Sequence, residues 1–132
     1  MSAAVDAGRA IVLGGAEYPI PELGPEHLAY AYDLAMVGDA ATMRRSHMRV
    51  YAAAIAMVGI PRIVRRTGRL EDHGSDVLRF GGHALGILVA HGATADEVRA
   101  AGRSCCDRIC DLLPTETEVQ AAEGNSDATP AV

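Results

Sequence analysis

Apolar residues alternate with their neighbours over positions 9–20 and then recur every three or four positions through most of the chain. In the first stretch Ile11 and Leu13 share one side of an extended strand, Val12 takes the other, and Tyr18 and Ile20 alternate on the way back. Between them Gly14 and Gly15 supply the positive φ angles of a tight two-residue turn, so the segment predicts a β-hairpin. Pro19 withdraws a ladder donor, which makes the return strand short or an edge. Pro21, Gly24 and Pro25 end it, and Pro25 opens a helix over 25–37 with Glu22 and Glu26 near its positive end. Leu28, Tyr32 with Ala31, and Ala35 with Met36 form the stripe expected to face the core.

Asp39 can cap a second helix over 40–58. Its first half is mixed and basic, whereas residues 50–58 are apolar on all sides, the pattern of a helix surrounded by protein. That half predicts the central post of the domain, ended by Gly59 and Pro61. Residues 62–74 read as a polar, mobile connection. Ser75 is the expected cap of a third helix over 76–90, with Val77, Gly81, Ala84, Leu85 and Leu88 inward. Two glycines in mid-helix, Gly81 and Gly82, mark close packing or a kink. Thr94 and Glu97 form a capping box that starts a fourth helix running to about residue 113, with Val98, Ala101, Cys105, Ile109 and Leu112 on one face. The fold class is therefore mainly α: an N-terminal β-hairpin followed by a small bundle of about four helices. Residues 1–8 form a flexible N-terminus, 9–113 a single domain, and 114–132 a disordered acidic tail too poor in large apolar groups to offset its ordering entropy.

Composition sharpens this outline. Of 132 residues 24 are alanine and only five are aromatic, so the core is light and helical. Twelve arginines stand with no lysine, which excludes the Walker phosphate loop, Schiff-base catalysis and the kinase ion pair. The net charge of −5 is segregated: residues 40–70 hold seven arginines and no acid, between acidic flanks. Such a block neutralises the fold internally, contacts an acidic partner, or binds nucleic acid. The longest apolar run, 50–60, falls short of the roughly 20 residues of a membrane span, and no signal peptide opens the chain. A cytoplasmic protein without membrane association is expected.

Candidate chemistry is sparse. Cys106 and Cys110 share a helical face, but two further ligands for a metal are missing, and Cys105 falls on the apolar face; no metal or cofactor is expected. The five histidines never fall three or four apart, so no helical metal pair exists. Neither a nucleophile elbow nor a dinucleotide fingerprint occurs, and the chain is read as non-enzymatic. The helix pair around Gly38, with Arg44, Arg45 and Arg49, superficially resembles a helix-turn-helix. An apolar second half and a single asparagine and glutamine argue against base reading, so nucleic acid is disfavoured as a partner.

The string Ile-Val-Leu-Gly-Gly-Ala-Glu-Tyr-Pro-Ile-Pro-Glu-Leu at 11–23 delivers a Gly-Gly hairpin into a helical bundle. It resembles the opening of the small tail assembly chaperones of tailed bacteriophages and prophages. The segments Phe-Gly-Gly-His-Ala-Leu at 80–85 and His-Gly-Ala-Thr-Ala-Asp-Glu at 91–97 are also similar to that group. The resemblance implies a protein without catalytic activity that binds the tape measure protein, tail tube subunits or both in the host cytoplasm during virion assembly. A structural or adaptor subunit of a phage particle and a basic-block nucleic-acid binder are the alternatives, and self-association stays open. For a sticky helical client, Met36, Met43, Met48 and Met57 offer adaptable apolar surface. Met48 and Met57 are the expected groove residues, and Arg62, Arg65, Arg66 and Arg69 the expected rim.

Overall fold

The computed structural model describes residues 10–37, 40–58 and 67–114, with side chains of the second helix described from position 47 onward. The chain is mainly helical, an antiparallel two-strand hairpin followed by four helices. The expectations for residues 1–8, the cap at Asp39, the stop at Gly59 and Pro61, and the tail 115–132 lie outside the described residues.

Strands β1 (Ala10–Leu13) and β2 (Ala16–Pro19) pair with Ile11 opposite Tyr18 and Leu13 opposite Ala16. Gly14 and Gly15 take φ of 62° and 80°, the left-handed pair that matches the twist of a two-residue hairpin. Ile11 and Leu13 point into the core and Val12 away from it. Pro19 sits at the end of the ladder, where its missing N–H costs least.

Helix α1 spans Glu26–Val37 and α2 spans Ala40–Met57. In α2, Ala52, Ala53, Ala54 and Ile55 have no exposed surface, and Val50 and Met57 are also buried, so this half is the central post that its all-round apolar pattern predicts. It packs against α3 (Val77–Ala90), α4 (Ala95–Cys110) and α1. Small residues permit the approach. A Cβ built on Gly81 of α3 would overlap the Arg49 carbonyl of α2, and one on Gly102 of α4 would overlap Tyr51, so both helices lie closer to the post than any side chain would allow. The Gly81 position is thus a close crossing. Val77, Phe80, Ala84 and Leu88 of α3 and Val98, Ala101, Cys105 and Ile109 of α4 complete the core.

Three local readings are corrected. Of the α1 stripe, Ala31 is buried as expected, beside Leu34, whereas Leu28, Tyr32, Ala35 and Met36 face outward. Helix α3 is capped by Asp76, whose Oδ1 accepts from the amides of Leu78 (3.0 Å) and Arg79 (3.2 Å). Ser75 instead has a φ of 57°, and its N–H donates to the Leu70 carbonyl to close the preceding turn. Within the described part of the connection, a 3-10 turn at Leu70–His73 plants Leu70 in the core and the His73 ring meets the Thr67 carbonyl at 2.8 Å. Helix α4 stops at Cys110, and Leu112 and Leu113 close tighter i→i−3 bonds ahead of Pro114, which disfavours helical geometry at the residue before it.

The Thr94 and Glu97 box is present: the Glu97 amide donates to Thr94 Oγ1 (3.1 Å), and the Thr94 amide donates to Glu97 Oε1 (2.8 Å). Glu97 does more. Its two oxygens also accept from the amides of Gly14 and Gly15, each at 3.0 Å, so the carboxylate that caps α4 holds the hairpin turn as well.

Candidate functional site

Nine of the twelve residues of α1 are apolar, and they occupy every side of the helix. One side is satisfied by the core through Ala31 and Leu34. Successive residues turn by roughly 100°, which places Leu28, Ala29, Tyr32, Ala35 and Met36 on a single arc of roughly 120°. That arc is the exposed one: Leu28 is 37%, Tyr32 52% and Met36 82% accessible. Scattered exposed apolar side chains are ordinary, but three large ones in line along one helix form a patch of the kind that marks interaction surfaces.

The patch runs into a cleft. Ala35 lies at its border, and from there an open cleft of about 360 Å³ extends between α1, α2 and α4. Its deeper wall is made by Leu34, Val50, Cys106 and Cys110, and its rim by Tyr51, Arg103 and Asp107. Arg103 Nε donates to the Tyr51 hydroxyl at 3.4 Å, an arrangement that holds the guanidinium at one end. The Cys106 thiol is pushed up to about 12 by burial, with Cys110 and Asp107 adding to it. Cys110 is raised by burial and then by the negative charges of Asp107 and Asp111. Both therefore stay protonated at neutral pH, and the Cys110 end of the cleft is electronegative.

Of the residues expected at a partner site, Met48 is half-buried and packs against the core. Met57 is 4% accessible and is a core side chain in this arrangement, not a groove-lining one. Arg69 donates its backbone N–H to Asp72 Oδ2 (2.9 Å) at the head of the 3-10 turn. Arg62, Arg65 and Arg66 lie outside the described residues, as does the Met43 side chain. Met36, the one remaining methionine of that set, is on the exposed patch.

The fold also joins two histidines that the sequence separates: the His73 and His83 rings lie tilted at 43° to each other with centroids 5.1 Å apart, and His73 is edge-on to Phe80. Among the described residues no three His, Cys, Asp or Glu side chains gather as a metal site, and no helix is long and apolar enough to cross a membrane. Comparison with protein-family models, with curated proteins and with solved structures found no match, so the site rests on its own geometry.

Proposed function

We propose that this chain is a non-enzymatic assembly chaperone of the phage-tail type, which covers a helical segment of the tape measure protein or a tail tube subunit during virion assembly. The observation that carries the reading is the outer face of α1, where Leu28, Tyr32 and Met36 stand in line and exposed among the described residues. A transient binder needs apolar surface that its own fold does not consume, and α1 has it. The hairpin with its Gly-Gly turn, on which the resemblance to tail assembly chaperones rests, supplies the class of client. In this reading Arg62, Arg65, Arg66 and Arg69 speed encounter and orient the client, while the apolar face holds it.

The test is a binding titration of the full chain against tape measure and tail tube proteins of the same genome, and against random duplex DNA at two salt concentrations. Binding to either client, lost on Tyr32→Asp with Met36→Asp while circular dichroism is unchanged, supports the reading. Replacement of the four arginines by alanine is expected to slow association and leave most of the affinity. Salt-sensitive DNA binding without client binding overturns the reading in favour of a nucleic-acid binder. Retention of the chain in finished particles overturns it in favour of an adaptor subunit.

A further inference from the structure

Sequence spacing offers no pair of histidines on one helix, yet the 3-10 turn at Leu70–His73 brings His73 onto α3 beside His83. We propose that these two side chains form a binding site for a first-row divalent ion of the imidazole-binding kind, Ni²⁺ or Zn²⁺, with solvent in its remaining coordination positions. The separation of the rings carries the assignment. A metal–nitrogen bond of about 2.0–2.1 Å, with about 1.1 Å more from nitrogen to ring centre, sets two imidazole centres on one ion about 4.5–5.2 Å apart between a right angle and a tetrahedral angle. The His73 and His83 centres are 5.1 Å apart. Their planes are tilted at 43°, not stacked face to face, so the rings converge along one side.

His73 is already oriented as a ligand. A carbonyl only accepts, so the 2.8 Å contact of His73 Nε2 with the Thr67 carbonyl places a proton on Nε2 and leaves Nδ1 of the neutral ring with the free lone pair. Thr67 is buried, and His73 meets Phe80 edge-on, so the ring is held from two sides. Metal-binding histidines generally donate their second N–H to a carbonyl or carboxylate in this way, which fixes tautomer and direction. His83 is exposed on α3 and gives an ion its route from solvent. Rotation about its Cβ–Cγ bond, whose axis runs close to the ring centre, turns a nitrogen inward without changing the separation. The surrounding charges are mixed: Glu71 and Asp72 lie on the turn and Asp76 caps α3, while Arg69 heads the turn and Arg79 precedes His83 by one helical turn. Charge therefore does not select the ligand; the two nitrogen donors do. Imidazoles without a ring of oxygen donors suit nickel and zinc, not magnesium or calcium. An ion held here staples the turn to α3.

The experiment uses the full chain without an affinity tag, titrated with Ni²⁺, Zn²⁺ and Mg²⁺. With Ni²⁺ or Zn²⁺ at about a hundredfold its dissociation constant, the melting temperature is expected to rise by about 5 °C or more, and Mg²⁺ should leave it unchanged. Paramagnetic Ni²⁺ should broaden the ring signals of His73 and His83 in NMR spectra before those of His27, His47 and His91. His83→Ala, at an exposed helix position, should keep the circular dichroism and lose the rise. Cys106→Ser with Cys110→Ser should keep the Ni²⁺ response, which separates the histidines from the thiols of the cleft. A rise that survives His83→Ala, broadening centred on another histidine, loss of the response with the cysteines, or no binding of either ion at millimolar concentration would overturn the site.

Discussion

Helices α1 and α2 begin from similar material and end in different surroundings. Both are rich in alanine, and both lack the polar face of an ordinary surface helix over part or all of their length. For α2 the chain supplies cover all round: α3 and α4 approach over Gly81 and Gly102, and Ala52 to Ile55 are sealed. For α1 the described residues supply cover on one side only, over Ala31 and Leu34. The difference teaches that an all-apolar helix announces a need for neighbours without saying whether those neighbours belong to the same chain. Where the described elements do not provide them, an apolar face stays exposed.

The comparison breaks most severely at the α2 crossing. Gly81→Val places two methyl groups where the Arg49 carbonyl already sits, and a backbone neighbour cannot swing aside. A loss of more than about 3 kcal/mol is expected, visible in denaturant melts as a shift or absence of the cooperative transition. A near-wild-type melt would mean that α2 and α3 are farther apart than described. Next comes Ile55→Ala, which empties a fully buried site on the post and should cost about 2–5 kcal/mol by the same measurement.

A smaller effect belongs to the tie between hairpin and α4. The Glu97 carboxylate lies below its ordinary value of 4.5, first because the Thr94 amide donates to it and then through Gly15 and Gly14. A carboxylate lowered in the folded state stabilises fully above its unfolded pKa, and that contribution is lost as pH falls through the lower folded value. Glu97→Gln should therefore lower the melting temperature at neutral pH and reduce its acid dependence below about pH 4.5. A variant with an unchanged acid limb would show that the tie contributes nothing. The smallest change sharpens the contrast: Tyr32→Ser and Met36→Ser on the open face of α1 should alter stability by within about 0.5 kcal/mol each, since surface changes away from structural features do little. A much larger loss would mean that this face is covered within the chain after all.

How far the sequence foretold the molecule depends on how local each signal is. The Gly14-Gly15 turn, the Thr94 and Glu97 box and the apolar half of α2 were legible because a few adjacent residues carry the whole physical argument. The inward face of α1 was not, since residues 28, 32 and 36 and residues 31 and 34 both keep helical spacing, and size drew attention to Tyr32 and Met36 while the core took Leu34 and a small Ala31. Ser75 and Asp76 are both good caps, and the choice between them follows from the 3-10 turn before them, which needs Ser75 for its exit. Of the methionines, Met36 lies on the exposed face and Met57 in the core, because α2 is covered on the side where Met57 lies. The cleft had no sequence signal at all, being assembled from three helices.

Glu97 follows the glycines that it holds by 83 and 82 positions. At the roughly 5–20 residues per second of protein synthesis, the hairpin is made about 4–16 s before its anchor exists. A lone two-stranded hairpin is marginal in water, so during that interval Ile11 and Leu13 have no lasting seat. The hairpin is thus made well before the helix that anchors it, and its turn can be tied down only once α4 has formed.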